Sequence, residues 1–300
     1  MKKAVLDIGS NSVKYILADL RPRNHPEILE EASKTTRLAG GIEKSGGLTS
    51  GSTQKTLEIS CEYIQRAQTS GAKRILAFAT SAVRDAKNRE EFQLLFKKRT
   101  GLDLIILTGK QEAALVFGGA VSDPGFPQDH VVVMDVGGGS AEWILGRRGK
   151  MIKYHSAPLG CVRMSERFLE GDPYTQDSFD KLMNHVKTEL TKIRPVFCLE
   201  HRFLIATGGT ACALAAFDGA INLKPDGVHG RVLKSERVHI LLHQLRASTQ
   251  AQREKMPGIA RSRAQIITAG AAVFAAAMDV LGTEAMKVSV RGLRYGALYV

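Results

Sequence analysis

The chain has 300 residues, 44% of them hydrophobic and 24% charged, which is enough apolar material for two domains of ordinary size and excludes a long disordered or fibrous chain. A formal net charge of +12 attracts polyanions without naming one. Lys and Arg are spread along the chain without the interleaved aromatics of a stacking platform, so nucleic acid is not expected as the main partner.

In chain order, the pattern opens as a strand at Ala4 to Ile8, a second at Val13 to Leu20, a Pro-containing turn at Arg21 to Pro26 and a third strand near Ile28 to Thr36, an antiparallel meander. Helical periodicity over Thr49 to Gln68 stops at Gly71. A short strand follows at Arg74 to Ala79, then a helix at Arg89 to Thr100 before Gly101, a strand at Leu102 to Leu107 and a helix at Lys110 to Val121. The turn cluster Ser122 to Pro127 marks a domain boundary, predicting domains 1–122 and 123–300. Strands at His130 to Val136, Ala141 to Leu145 and Met151 to Ser156 then repeat the opening meander. Helices are expected at Ser178 to Ile193, Ala211 to Phe217, Ser235 to Ala247 and Arg263 to Leu281, with strands at Phe203 to Ala206 and Lys287 to Val290. Gly292 to Val300 reads as a final helix that could return to the first domain. Alternation of strands and helices gives an α/β fold with mixed sheets covered by helices.

Cys61, Cys161, Cys198 and Cys212 have no Cys-x-x-Cys spacing, MKKAVLDIG runs into a strand rather than a leader, and no apolar run approaches the ~20 residues of a spanning helix. A cytoplasmic protein without a membrane partner is the expectation. His239 and His243 stand at i and i+4 with no third ligand nearby in sequence, so they read as structural or surface residues rather than a metal pair.

Asp7-Ile8-Gly9-Ser10-Asn11-Ser12 returns as Asp135-Val136-Gly137-Gly138-Gly139-Ser140, giving Asp-x-Gly-x-x-Ser twice in matching contexts. Turns of Gly and Ser let backbone N–H groups and hydroxyls approach phosphate oxygens, so Ser10, Asn11, Ser12, Gly137, Gly138, Gly139 and Ser140 are candidate phosphate ligands. Either turn alone is also an ordinary hairpin. Asp7 and Asp135 are placed to hold Mg²⁺, which takes a few carboxylates plus phosphate oxygens. Thr207-Gly208-Gly209-Thr210 follows a strand and opens a helix, making Gly208, Gly209 and Thr210 a third candidate anion contact or a plain strand-to-helix turn. No Gly-x-x-x-x-Gly-Lys-Ser/Thr occurs, which excludes a P-loop.

These segments, in order with Ala79 to Ala86, Gly109 to Ala113, Asp135 to Glu142, Met256 to Gly258, Arg263 to Gly270 and Gly292 to Gly296, resemble the exopolyphosphatase/guanosine pentaphosphate phosphatase family over essentially the whole chain. That family belongs to the actin, sugar-kinase and heat-shock chaperone superfamily, which implies two ribonuclease-H-like, actin-like ATPase domains with a cleft between them. The resemblance implies Glu112 as the residue that positions or activates water, Arg84 as a phosphate grip, and Glu142 beside Asp7 and Asp135 as a metal ligand. Gln111 stands where the family has a second acid, and Ala141 where Thr is frequent. On the residues alone, Glu112 is equally a solvated carboxylate favoured by the helix dipole, and Arg84 a surface partner of Asp85 or Glu90.

The expected function is metal-dependent release of terminal phosphate from polyphosphate, guanosine pentaphosphate or both, with Mg²⁺ or else Mn²⁺, in a chain that could form a homodimer. The absence of extra C-terminal helical domains suggests short chains or nucleotides. Lys187, Arg194, Arg202, Lys224, Arg231, Arg261 and Arg263 are candidates for a basic path. The alternatives are a small-molecule kinase of the superfamily and a non-enzymatic polyphosphate or guanosine pentaphosphate sensor.

Overall fold

The computed structural model describes residues 1–21, 26–198, 202–221 and 225–300, so most of the predicted Arg21 to Pro26 turn, and Lys224, lie outside the described residues. Backbone contacts divide the chain into two units, Met1–Gly119 with Leu293–Val300, and Ala120–Gly292.

Unit 1 contains strands β1 (Lys2–Ile8), β2 (Ser12–Asp19), β3 (Glu27–Thr35), β4 (Arg74–Ala79) and β5 (Leu104–Ile106). They form one sheet in the order β3-β2-β1-β4-β5, the meander pairing antiparallel and β1-β4-β5 parallel. β1 is buried on both faces beyond Lys2, as a central strand must be, whereas the edge strand β3 is half exposed and mixes apolar with charged residues. Helices α1 (Ile42–Ser45), α2 (Ser50–Thr69), α3 (Ser81–Asp85), α4 (Arg89–Thr100) and α5 (Gly109–Ala120) complete the connections. α2 starts where the Thr49 hydroxyl accepts the Ser52 N–H, and α4 stops at Gly101 with φ 73°, a left-handed cap that favours glycine. Lys3 is buried in β1 and donates to the carbonyls of Leu298 and Val300. Burial, with Arg74 nearby, pulls its ammonium pKa down to about 8.

Unit 2 repeats the plan. β6 (Val131–Val136), β7 (Ala141–Arg147), β8 (Lys150–Ala157), β9 (Phe203–Thr207), β10 (Val232–Lys234) and β11 (Ala285–Val288) form a sheet in the order β10-β11-β9-β6-β7-β8. Read from β8 to β11, this is the order and polarity of unit 1, with β10 added antiparallel at the edge. The helices are α6 (Cys161–Phe168), α7 (Gln176–Phe197), α8 (Gly208–Asp218), α9 (Pro225–Val228), α10 (Ser235–Ala247), α11 (Gln250–Arg253) and α12 (Ile267–Leu281). α12 is buried on all sides from Ile267 to Met278 and packs against α6, α7, α8 and α10. Its small Ala and Gly side chains allow so many helices to approach it.

Some boundaries differ from expectation. The predicted helix at Arg263 begins at Ile267, because Arg263 N–H bonds Ala260 O and Ile266 N–H bonds Arg263 O, three-residue closures that make a 3₁₀ turn at Arg261–Arg263. The last strand lies at Ala285–Val288 rather than Lys287 to Val290, and Gly292 to Val300 splits into α13 (Leu293–Gly296) and a 3₁₀ turn. α13 belongs to unit 1, where Gly296 lies so close to the Leu115 carbonyl of α5 that any Cβ would collide. α1, α3, α6, α9, α11 and β10 are additional to the predicted elements, being too short for periodicity to declare. Among the described residues, no helix is long and apolar enough to cross a membrane.

Candidate functional site

The two Asp-x-Gly-x-x-Ser segments form matching hairpin turns. Gly9 N–H donates to Ser12 O at 3.1 Å in unit 1, and Gly137 N–H donates to Ser140 O at 3.0 Å in unit 2. A Cβ on either glycine would press on that same carbonyl, at 3.3 Å and 3.2 Å respectively. In unit 1, Ser10 O accepts from Ala39 N–H, and Asn11 O accepts from Thr36 and Arg37 N–H. In unit 2, Gly137 O accepts from Cys161 N–H, Gly138 O from Val162 and Arg163 N–H, and Gly139 O from Arg163 Nε. The C=O and N–H of a trans peptide point in opposite directions. Carbonyls drawn into the protein therefore turn the N–H groups of Asn11 and Ser12, and of Gly138, Gly139 and Ser140, the other way, as in an anion-binding nest. Ser10 Oγ lies 3.0 Å from Ser81 Oγ at the start of α3.

The acids before the turns sit in opposite electrostatic settings. In unit 1, Asp7 pairs across the hairpin with Lys14 in strand register, and Lys14 Nζ stands 3.7 Å from Asp7 Oδ2. In unit 2 the register partner of Asp135 is Glu142, itself buried and accepting a hydrogen bond from Ser156 Oγ at 2.9 Å. Like charges directly opposed on neighbouring strands are destabilising. Asp135 also abuts the third turn: Gly208 has φ +86°, and a Cβ there would strike Asp135 Oδ1. Among the described residues no three His, Cys, Asp or Glu side chains form a metal cluster. The Asp135 and Glu142 pair nevertheless fits Mg²⁺, which commonly uses one or two carboxylates and completes its shell with water and phosphate oxygens. Asp7 already has a lysine as its cation.

In the third turn, Gly208 and Gly209 open α8, and the Arg263 guanidinium occupies the space a Gly209 Cβ would take. Thr210 faces inward: it is buried, its side chain meeting the positions a Gly270 Cβ would reach at 2.6 Å and 2.8 Å. Thr210 also hydrogen-bonds the Cys161 side chain at the start of α6. The other described residues of the expected basic path have partners or positions of their own. Arg231 and Arg261 meet Asp218 and Glu254, Arg194 and Arg202 hold the carbonyls of Val280 and Val196, and Lys187 is exposed on α7. His239 Nε2 lies 2.9 Å from Asp279 Oδ1, joining α10 to α12, while His243 is exposed.

Glu112 is not the solvated carboxylate that local sequence allows, for it is 7% exposed in the first turn of α5. Arg84 Nη1 donates to its Oε2 at 2.7 Å and to Leu107 O at 2.9 Å. The expected phosphate grip thus holds the carboxylate, with Asp85 only at 3.8 Å. The neighbour Gln111 shapes the backbone. Its Oε1 accepts the Thr108 N–H while Thr108 Oγ1 accepts the Gln111 N–H, a capping box that fixes the helix start carrying Glu112. The Thr-x-x-Gln spacing could have revealed it. Lys14 could have been found by counting outward from the turn, but Arg163 lies in a helix too short to be legible in the sequence.

The Ppx/GppA phosphatase family profile matches residues 16–300. Exopolyphosphatase 1 of Mycobacterium tuberculosis is 31% identical over 99% of this chain and 87% of its own length. A guanosine-5'-triphosphate,3'-diphosphate pyrophosphatase of Pseudoalteromonas translucida is 25% identical over 99% of this chain and 58% of that protein. The crystal structure of an exopolyphosphatase from Cytophaga hutchinsonii superposes with a TM-score of 0.92 at 25% identity, covering 100% of this chain and 97% of the other. With two helix-flanked mixed sheets of matching order, the chain is a member of the Ppx/GppA phosphatase family.

Proposed function

We propose that the protein hydrolyses the terminal phosphoanhydride of a soluble polyphosphorylated anion, inorganic polyphosphate first and guanosine pentaphosphate second. The observation that carries this reading is the buried Glu112 carboxylate, fixed by Arg84 at the capped start of α5. Phosphoryl transfer to water needs an oriented nucleophile, in-line placement and neutralised charge rather than a covalent intermediate. The Glu112 carboxylate orients a water and accepts its proton as the water oxygen attacks the terminal phosphorus. The bridging oxygen leaves with the shortened chain, and inorganic phosphate is released. Arg84 keeps the carboxylate aimed. Amides of the glycine-serine turns bind phosphate oxygens and take up their charge. Asp135 and Glu142 would hold Mg²⁺ or Mn²⁺, which when bound neutralises phosphate charge.

Polyphosphate ranks first because the relatives named exopolyphosphatase are the more similar, and guanosine pentaphosphate second because a relative named for guanosine nucleotides matches nearly the whole chain. The test is phosphate release with Mg²⁺ from tripolyphosphate, long polyphosphate, guanosine pentaphosphate and ATP in parallel. Release from the polyphosphates above ATP supports the reading. Binding without release would favour a sensor, and transfer to a metabolite without net phosphate would favour a kinase.

A further inference from the structure

One residue holds the second phosphate turn through two different groups. Arg163, in the first turn of α6, donates its backbone N–H to Gly138 O at 3.2 Å and its side-chain Nε to Gly139 O at 2.9 Å. These are consecutive carbonyls, so Arg163 contributes to the orientation of both peptide planes that carry the N–H groups of Gly139 and Ser140. The helix begins in direct contact with the turn, since a Cβ on Gly160 would collide with the backbone of Gly138 and Gly139. Three successive glycines, Gly137 to Gly139, have no Cβ to restrict their backbone and would lose much conformational freedom on ordering. The corresponding turn in unit 1 accepts from the main-chain N–H groups of Thr36, Arg37 and Ala39, which side-chain replacement leaves in place.

We infer that Arg163 is a positioning residue for the second phosphate turn: it presets the Gly139 and Ser140 amides for phosphate oxygens and acts through the turn rather than on the reacting atoms. This rests on reading the turn as phosphate-binding. The donor that matters is Nε, fixed in the guanidinium plane. A lysine keeps the charge and most of the apolar stem but carries its donors on a mobile ammonium. Arg163→Lys therefore separates placement of the amides from the field of a positive charge.

The experiment titrates tripolyphosphate calorimetrically, with Mg²⁺ replaced by Ca²⁺ and turnover verified as negligible, into wild type, Arg163→Lys and Arg163→Met. Thermal midpoints and, in Mg²⁺, KM and kcat for the same probe are measured alongside. Both variants are expected to bind about 10-fold more weakly, as for loss of one charge-assisted hydrogen bond. KM should rise in parallel while kcat stays within about threefold, the pattern of lost uniform binding. The midpoint of Arg163→Lys should stay within about 4 °C of wild type. Wild-type affinity in Arg163→Lys with loss only in Arg163→Met would overturn positioning in favour of charge. A lowered midpoint with unchanged Kd would reduce Arg163 to a structural residue. If wild type itself binds no tripolyphosphate, the phosphate-binding reading fails first and the inference falls with it.

Discussion

The two hairpin turns close with the same hydrogen bond, yet their surroundings have diverged. At the strand position opposite the acid, unit 1 has Lys14 facing Asp7 and unit 2 has Glu142 facing Asp135. The first turn thus has a cation across from its acid, and the second has another carboxylate there. Unit 1 has Glu112 and Arg84 at the ends of short helices beside its sheet, whereas unit 2 has glycines at the start of α8 and an arginine clamp from α6. Duplication of a fold thus leaves room for division of labour: under the proposed function, one copy would bear the base and the other would serve anion and metal.

The sharpest way to break this comparison is to remove the base. Glu112→Gln should lower kcat by about 10²- to 10⁴-fold, the range for a positioned acid or base, with phosphate release as the readout. Next, Glu142→Gln should raise the Mg²⁺ concentration for half-maximal activity by about 10- to 100-fold, whereas Asp7→Asn, already matched by Lys14, should shift it far less. Equal shifts would erase the distinction between the acids. Gly208→Ala forces a side chain into a left-handed backbone and onto Asp135, and should cost about 1–3 kcal/mol in denaturant unfolding together with metal dependence. Gln111→Ala should cost about 1 kcal/mol through the lost capping box, with kcat barely changed if that residue serves only the helix start.

A subtler contrast appears at high pH. Lys3 in β1 corresponds to Val131 in β6, and burial lowers its pKa to about 8 from 10.5 in the unfolded chain. Between these values the unfolded chain binds more protons, so wild-type stability should rise across pH 8 to 10.5 and be flat with respect to this group below pH 8. The rise is at most about 3 kcal/mol, and denaturation of Lys3→Met, measured at both ends of the window, should lack it.

Much of this is legible in the sequence because it is written in local chemistry. The repeated Asp-x-Gly-x-x-Ser, the strand meanders and the glycine stops specify turns and strands over a few residues, and both sheets follow from them. Ser10 and Asn11 can be named as turn residues, but the carbonyl partners that orient their peptides come from Thr36 to Ala39, which no local pattern connects to them. Arg84 is expected as a phosphate grip, and its contact with Glu112 is a further partner that no local pattern connects to it. Thr210 reads as a ligand because its hydroxyl follows two glycines, yet helix phase turns it toward Gly270.

The most direct test of the division of labour is calorimetric binding of tripolyphosphate with Mg²⁺ to Glu112→Gln, beside its rate of phosphate release. The account predicts wild-type-like affinity with turnover lowered by at least about 10²-fold; turnover at the wild-type rate, or loss of binding along with it, would contradict the assignment of chemistry to Glu112 and of binding to the turns.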